Sequence, residues 1–393
     1  MTTNSVPSRE ELIRRAAEVV PLLKDTAEKS EESRNLADES VQALADIEFF
    51  KMRIPQRYGG FESDLTTTSA VLTELARGDG STSWTAAVWT ISTWIAGLFP
   101  DEVQDEIFST PDVRVCGILS PTATAVPVDG GIVVNGKWVF NSGAKHSHWN
   151  TNAVILLHPE HGPMPVMTAI PLSDLQIVDD WHTAGLRGSG SVSTVATDVF
   201  VPEARVLHMG PVLQQKYSSE ANRNSPIYTA PLLPTACSTV SAVAYGLAQA
   251  AKDAFFERLP GRKISYTDYA EQAHAPITHL QVAEAQTRID EAGFHALRAA
   301  GLVDRKANAG EEWTLEERAR VRLDMGATCV RAKEAVDVLN TASGGSSIYN
   351  HVPIQRIERD IQAINLHGVM HPNTNFELYG RILCGLEPNT HYL

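Results

Sequence analysis

Gly131-Ile132-Val133-Val134-Asn135-Gly136-Lys137-Trp138 is a run of β-branched and aromatic residues broken by glycines, set between two long stretches of helical texture. Further runs at 153–157, 165–170 and 191–201 resemble it, and Gly and Pro punctuate each one. Their spacing predicts a compact β-sandwich or barrel over 112–206. Upstream, Leu12, Ala16, Val19, Leu22 and Leu23 recur at helix spacing, and 40–50 repeats the signal before Pro55 and Gly59-Gly60. Two further helices are predicted at 66–77 and 81–99, the second apolar nearly all round and so placed centrally. Downstream, 231–258, 273–307, 314–342 and the segment from Pro353 onward read as long helices with Ala-rich faces suited to close packing. The chain is therefore read as an α+β multidomain protein: a helical domain at 1–111, a central β domain at 112–206 and a four-helix bundle at 207–393.

The 393 residues carry 47 acidic and 33 basic side chains, a net charge of −14, with 43% hydrophobic content. Such a chain can bury a large core. Its negative field argues against general nucleic-acid binding and against adsorption to an acidic membrane. A phosphate-bearing ligand must then be held by a few local donors. The most apolar window, 84–99, spans 16 residues and contains Thr85, Thr90, Ser92 and Thr93, short of the roughly 20 that a membrane helix needs. The start, MTTNSVPSREELIRRAAEVV, has no apolar stretch after a basic region, and the expectation is a cytoplasmic enzyme. Cys116, Cys237, Cys329 and Cys384 lack metal or redox spacing and are expected to be reduced, mostly as small core residues.

Several motifs are absent: no GxGxxG follows a strand, and there is no GxxxxGK[ST] or nucleophile elbow. Gly188-Ser189-Gly190-Ser191 and Gly344-Gly345-Ser346-Ser347 read as turns. His367 and His371 stand four apart, but Gly368 and Pro372 weaken a helix there and no HExxH glutamate exists, so no metal is expected. Of His146 and His148, at strand spacing, one is expected to face a pocket. Neither 221–252 nor 361–376 contains an Asp or Glu, so paired catalytic carboxylates are not signalled in the bundle.

Five stretches occur in a specific order: Ile54-Pro55-x-x-Tyr58-Gly59-Gly60; Gly136-Lys137-Trp138-x-Phe140-x-Ser142-Gly143 with His146 to Trp149 after it; Gly185-Leu186-Arg187-Gly188-Ser189-Gly190-Ser191; Val199-Phe200-Val201-Pro202; and Gln355-Arg356-x-x-Arg359-Asp360 followed by His367. In these the chain resembles the acyl-CoA dehydrogenase superfamily and, within it, the two-component flavin-dependent monooxygenases. The resemblance implies reduced FAD or FMN used as a diffusible co-substrate, a separate NAD(P)H:flavin reductase, molecular oxygen, a small aromatic substrate and a homotetramer. Dehydrogenases of this fold abstract a proton with a glutamate, commonly in one of the two acid-free windows. His367 stands in that neighbourhood instead, which favours the oxygenase branch.

By resemblance, His367 and Ser142 are the catalytic pair: the imidazole, titrating near neutral pH, helps hold a C4a-hydroperoxyflavin, and the serine hydrogen-bonds flavin N5. Trp138 and Phe140 would wall the flavin. Arg187 with Gly188, Ser189 and Ser191 would approach its ring or phosphate, Arg262 would reach a neighbouring subunit's flavin phosphate, and Gly344-Gly345 would permit close backbone approach. Ser120, His146, Trp89 and Trp94 are the substrate-side candidates. The central helix lacks the histidine that some phenol-oxidising members use, which favours hydroxylation of an indole or a fused or polyketide aromatic. N- or S-oxygenation by the same adduct is the alternative. An acyl-CoA dehydrogenase is disfavoured by the missing glutamate, and an inactive flavin-binding protein by the intact His367 and Ser142.

Overall fold

The computed structural model describes residues 6–393. Residues 1–5, where the stretch read as lacking a leader begins, lie outside the described residues. Polar caps start the first helices. Ser8 accepts the Glu11 N–H at the head of α1 (Arg9–Ser33), and α2 (Asp38–Asp46) follows. Asp64 caps α3 (Leu65–Gly78), and Asp79 caps α4 (Gly80–Ala96) after a single extended residue. A short α5 (Asp101–Ile107) closes the region. Helix α4 is buried along nearly its whole length, as its all-round apolar sequence predicts.

The β region is one hydrogen-bonded seven-stranded sheet that does not close into a true barrel. Its strands are β1 (Val115–Val128), β2 (Gly131–Asn141), β3 (Trp149–His158), β4 (Gly162–Pro171), β5 (Gln176–Val178), β6 (Val192–Pro202) and β7 (Val206–His208), in the order β5-β6-β2-β1-β3-β4-β7. β1 runs parallel to β3 and antiparallel to β2, and its register shifts between Ile118 and Ala123. Helix α4 lies on β1 and β3 and covers the sheet where they meet, while β4 and β6, four places apart in the strand order, come close as the sheet curls.

After α6 (Met209–Leu213) and α7 (Pro226–Thr229) come the long helices α8 (Leu232–Arg258), α9 (Pro276–Ala309) and α10 (Leu315–Ala342), the last opened by a Thr314/Glu317 capping box. The final helical segment is split. α11 (Pro353–Leu366) ends at His367, and Pro372 starts α12 (Pro372–Leu383). Helices α3 and α4 lie against α8, so Leu72, Val134 and Leu247 belong to one continuous core. Cys116, Cys237 and Cys329 are buried free thiols, and Cys384 is exposed. Among the described residues no helix is long and apolar enough to cross a membrane.

Candidate functional site

Three segments meet at Ser142, helix α4, the corner after β2 and the loop 185–191, and the end of α11 touches the first of them at Trp84. Ser142 is buried and its Oγ accepts the Trp84 indole N–H at 3.0 Å. It lies 2.6 Å from Ser191 Oγ, which is 2.7 Å from Ser189 Oγ, and Ser189 donates in turn to the Leu186 carbonyl at 2.7 Å. The Trp84 ring meets the His367 imidazole edge-on, with centroids 5.2 Å apart. A single chain of polar contacts therefore runs from the loop to Ser142, and an aromatic contact continues it to His367.

Solvent touches His367, yet the protein crowded around it desolvates the imidazole and pushes its pKa down to about 4. The expectation of titration near neutrality is thus corrected: at neutral pH this histidine is uncharged, one ring nitrogen a donor and the other an acceptor.

The corner that carries Ser142 depends on two left-handed residues, Phe140 (φ 64) and Gly143 (φ 72). A Cβ at Gly143 would stand 2.6 Å from Thr85 Cγ2 and 2.7 Å from Trp89 Nε1, both on the central helix. Gly143→Ala is therefore expected to cost roughly 2–4 kcal/mol through strain and clash. Calorimetric melting checks this, and an unchanged melting temperature would show that the corner is not constrained.

Several expected site residues sit elsewhere. Trp138 is fully buried and donates to the Ala153 carbonyl at 2.8 Å, so it is core and not a flavin wall. Phe140 is 61% exposed and meets Trp181 edge-on, because its left-handed backbone breaks the strand's alternation. Trp94 is buried in a second apolar cluster and donates to the Ile227 carbonyl at 2.7 Å, as a core residue. Trp89 is buried, with its N–H on Ser147 Oγ at 2.9 Å. His146 Nε2 lies 2.9 Å from Asn35 Nδ2 and 3.1 Å from the Leu36 carbonyl, tying the corner to the α1–α2 link instead of facing a pocket. Gly188 and Ser189 are buried, Gly188 against Ser30 and Ser81 because only a glycine fits between the two helices. Arg187 turns toward Glu31, 3.7 Å away, and Ser191 backs Ser142 from behind. Ser120 stays exposed in the irregular part of β1.

The tryptophan that joins the site is Trp84, which the sequence reading passed over. Its face of α4 continues through Val88, Ile91 and Ser92, and a Cβ at Gly117 on β1 would be 2.9 Å from Ser92 Oγ. The i, i+4, i+7, i+8 spacing was visible, but not which face of an all-apolar helix meets the sheet.

A second polar feature lies where α8 ends. Arg258 donates to Ser346 Oγ at 3.0 Å, and Arg262 donates to the Ser343 carbonyl. Each retains a buried Nη1 without a partner. Burial and the neighbouring Arg258 charge hold the Arg262 pKa below the usual guanidinium range. Beside them Gly344 takes a left-handed φ of 66, and a Cβ on Gly345 would meet nothing within 4 Å. Two unmet guanidinium donors next to bare backbone fit a phosphate. Arg258 was missed by sequence, although its four-residue spacing from Arg262 was available.

The chain matches the family described as acyl-CoA dehydrogenase, N-terminal domain, over residues 9–108, and that described as acyl-CoA dehydrogenase, C-terminal domain, over 238–372. It is 31% identical to the flavin-dependent monooxygenase oxygenase subunit HsaA of Rhodococcus jostii over 375 residues, 94% of this chain and 97% of that protein. The crystal structure of the HsaA monooxygenase from M. tuberculosis superposes with a TM-score of 0.91 at 30% identity, covering 98% of this chain and 100% of that one. XiaF from Streptomyces sp., solved in complex with FADH2 and glycerol, gives 0.91 at 29% identity, covering 97% of each chain.

Proposed function

Since the chain belongs to the flavin-dependent monooxygenases of acyl-CoA dehydrogenase fold and hydroxylates an aromatic substrate, we propose that Ser142 and His367 bracket the ring of a reduced FAD or FMN supplied by a separate reductase. The observation that carries this is the ring contact between His367 and Trp84, whose indole N–H is tied to Ser142. XiaF, similar over nearly the whole chain, was solved with FADH2. When bound, the reduced flavin supplies the two electrons that send one oxygen atom into product and the other into water. Arg258, Arg262 and the Gly344-Gly345 turn would hold a phosphate of that flavin. Ser142 orients the ring edge, and neutral His367 presents an N–H where negative charge develops on oxygen.

The substrate would lie beside the face of α4 that carries Trp84, Val88 and Ile91, of which Val88 and Ile91 are only partly buried. With no histidine or carboxylate on that face, nothing there deprotonates a phenol, so a flat indole or fused aromatic that is electron-rich when neutral is the acceptor class. The test supplies the protein with FAD or FMN and a generic flavin reductase and compares indole, naphthol and amino-sugar acceptors. Incorporation of one atom of labelled oxygen into an aromatic carbon is the expected result. Oxidation of the amine acceptor alone, or peroxide as the sole product with every acceptor, would sink this reading.

A further inference from the structure

Asp360 lies on the buried side of α11 at 2% exposure, and its Oδ1 accepts the Leu186 backbone N–H at 2.6 Å. Leu186 needs such a hold, because its φ of 50 is costly for a branched side chain. Its carbonyl receives Ser189 Oγ at 2.7 Å and the Trp181 indole N–H at 3.0 Å. From Ser189 the contacts run through Ser191 to Ser142, and the Ser189 carbonyl takes the Gly143 N–H at 3.1 Å. Gly185, just before, lies so close on α11 that a Cβ there would collide with the Arg359 carbonyl. His367 ends the same helix, seven residues after Asp360 and so two turns on along the same face. One helix thus fixes both sides of the site, the imidazole directly and the serine chain through Asp360.

The remaining oxygen, Asp360 Oδ2, is buried without a partner, and so is Oδ1 of Asp79, itself 3% exposed. Asp79 Oδ2 caps α4 through the Thr82 N–H and hydroxyl. A Cβ at Gly80 would be 2.8 Å from Asp360 Oδ2, so that oxygen lies against the first residue after Asp79. Two carboxylates with bare oxygens cannot both stay ionised in such a place.

The charges around the pair come from every neighbouring element. On α11 these are Arg356 and Arg359, and on α1 Lys24 and Glu31. Arg77 on α3, Glu257 on α8 and Arg187 on the loop complete the set. Arg359 and Arg187 face Glu31, Arg77 faces Asp253 and Glu74, and Lys24 faces Glu257. Arg356 alone of these cations has no carboxylate partner among the described residues, and it attracts both aspartates. Arg356 acts on both carboxyls, and Arg359, engaged by Glu31, acts on Asp360 as well.

We propose that Asp360 is a positioning residue of the oxygenation site, sharing one proton with Asp79 and holding the Leu186–Ser191 loop so that Ser142 stands opposite His367. The proposal rests on the reading of Ser142 as the flavin's partner. Burial first, then the Asp79 charge, pushes the Asp360 pKa up to about 7, and burial also raises Asp79. A carboxyl raised in the fold makes the folded state weaker as pH rises between about 4 and about 7, since the unfolded chain gives up the proton first. His367, lowered from 6.5 to about 4, acts with the opposite sign over nearly the same window. Only a difference between variants isolates Asp360.

Asp360→Asn keeps an acceptor for Leu186 and turns an N–H that does not titrate toward Asp79. In flavin-free protein, the melting temperature of the wild type minus that of D360N should fall by several degrees between about pH 5 and about pH 8. A difference that is flat with pH overturns the shared proton. With flavin and reductase supplied at about pH 6, Asp360→Ala should raise the peroxide released per product about tenfold, the weight of one hydrogen bond to a charged or shared-proton group, and D360N should restore it. Equal peroxide in all three proteins overturns the positioning role. Should D360A not fold, Ser189→Ala cuts the same chain one step further on and must show the same leak. If Ser142→Ala leaves coupling unchanged, it is the reading of Ser142 that fails, and the pH difference still decides the proton.

Discussion

His367→Ala is expected to lower the product formed per oxygen consumed by about 100-fold, with the missing oxygen recovered as hydrogen peroxide. The neutral imidazole offers an N–H at the exposed end of α11, and the indole N–H of its neighbour Trp84 is already committed to Ser142. Alanine leaves developing charge on oxygen to be met by water, which also supplies the protons that release peroxide. Because burial holds the pKa at about 4, His367 does not change charge between about pH 5 and 8. Coupling in the wild type should accordingly show no inflection near 6.5 that His367→Gln removes, and glutamine, a neutral donor, should recover part of the loss. An oxygen electrode read with and without catalase, beside chromatography of the product, checks both. Unchanged product per oxygen in the alanine variant would take His367 out of the reaction.

The progression of helices, strands and helices was legible because each texture has its own period, and Ser142 and His367 were singled out because they sit in stretches that resemble a known family. What failed was orientation. Period-two alternation puts Trp138 and Phe140 on one face of β2, but the left-handed Phe140 and the register shift beside it leave one in the core and the other 61% exposed. The four strand-like runs of the β domain each need cover on one face. Nothing in those runs shows that α4 supplies it, or that β1 pairs in parallel with β3 across the intervening β2. Trp84, Trp89 and Trp94 lie on one apolar helix, and only the packed structure sends the first to His367, the second to Ser147 and the third to Ile227. Asp360 was quoted as part of a motif with no task attached. Its task depends on a contact with Leu186, 174 residues away in the chain.

Replacing Arg258 and Arg262 together by alanine is expected to weaken binding of FAD and FMN by at least about 100-fold, since each arginine has an unmet buried N–H worth roughly 1.5–3 kcal/mol to a phosphate. Flavin fluorescence during titration reads this directly, without turnover. The two arginines sit where α8 ends beside the start of α11, whereas His367 closes the other end of α11, about 20 Å away by helix rise. A flavin whose ring lies at His367 therefore meets this pair more easily on a second copy of the chain than on its own. Exposed Phe294 and Leu297 on α9 offer an apolar surface for such an assembly. Co-expressing the double arginine variant with His367→Ala separates the two cases. If the phosphate and ring sites of one flavin come from different protomers in a two-fold pair, half of the random pairs are mixed. One of the two sites in each mixed pair then carries neither defect, so about a quarter of wild-type product formation should return. Each variant alone should stay near zero. If phosphate and ring are held within one protomer, every site in the mixture carries one defect, no activity returns, and the arrangement across subunits is excluded.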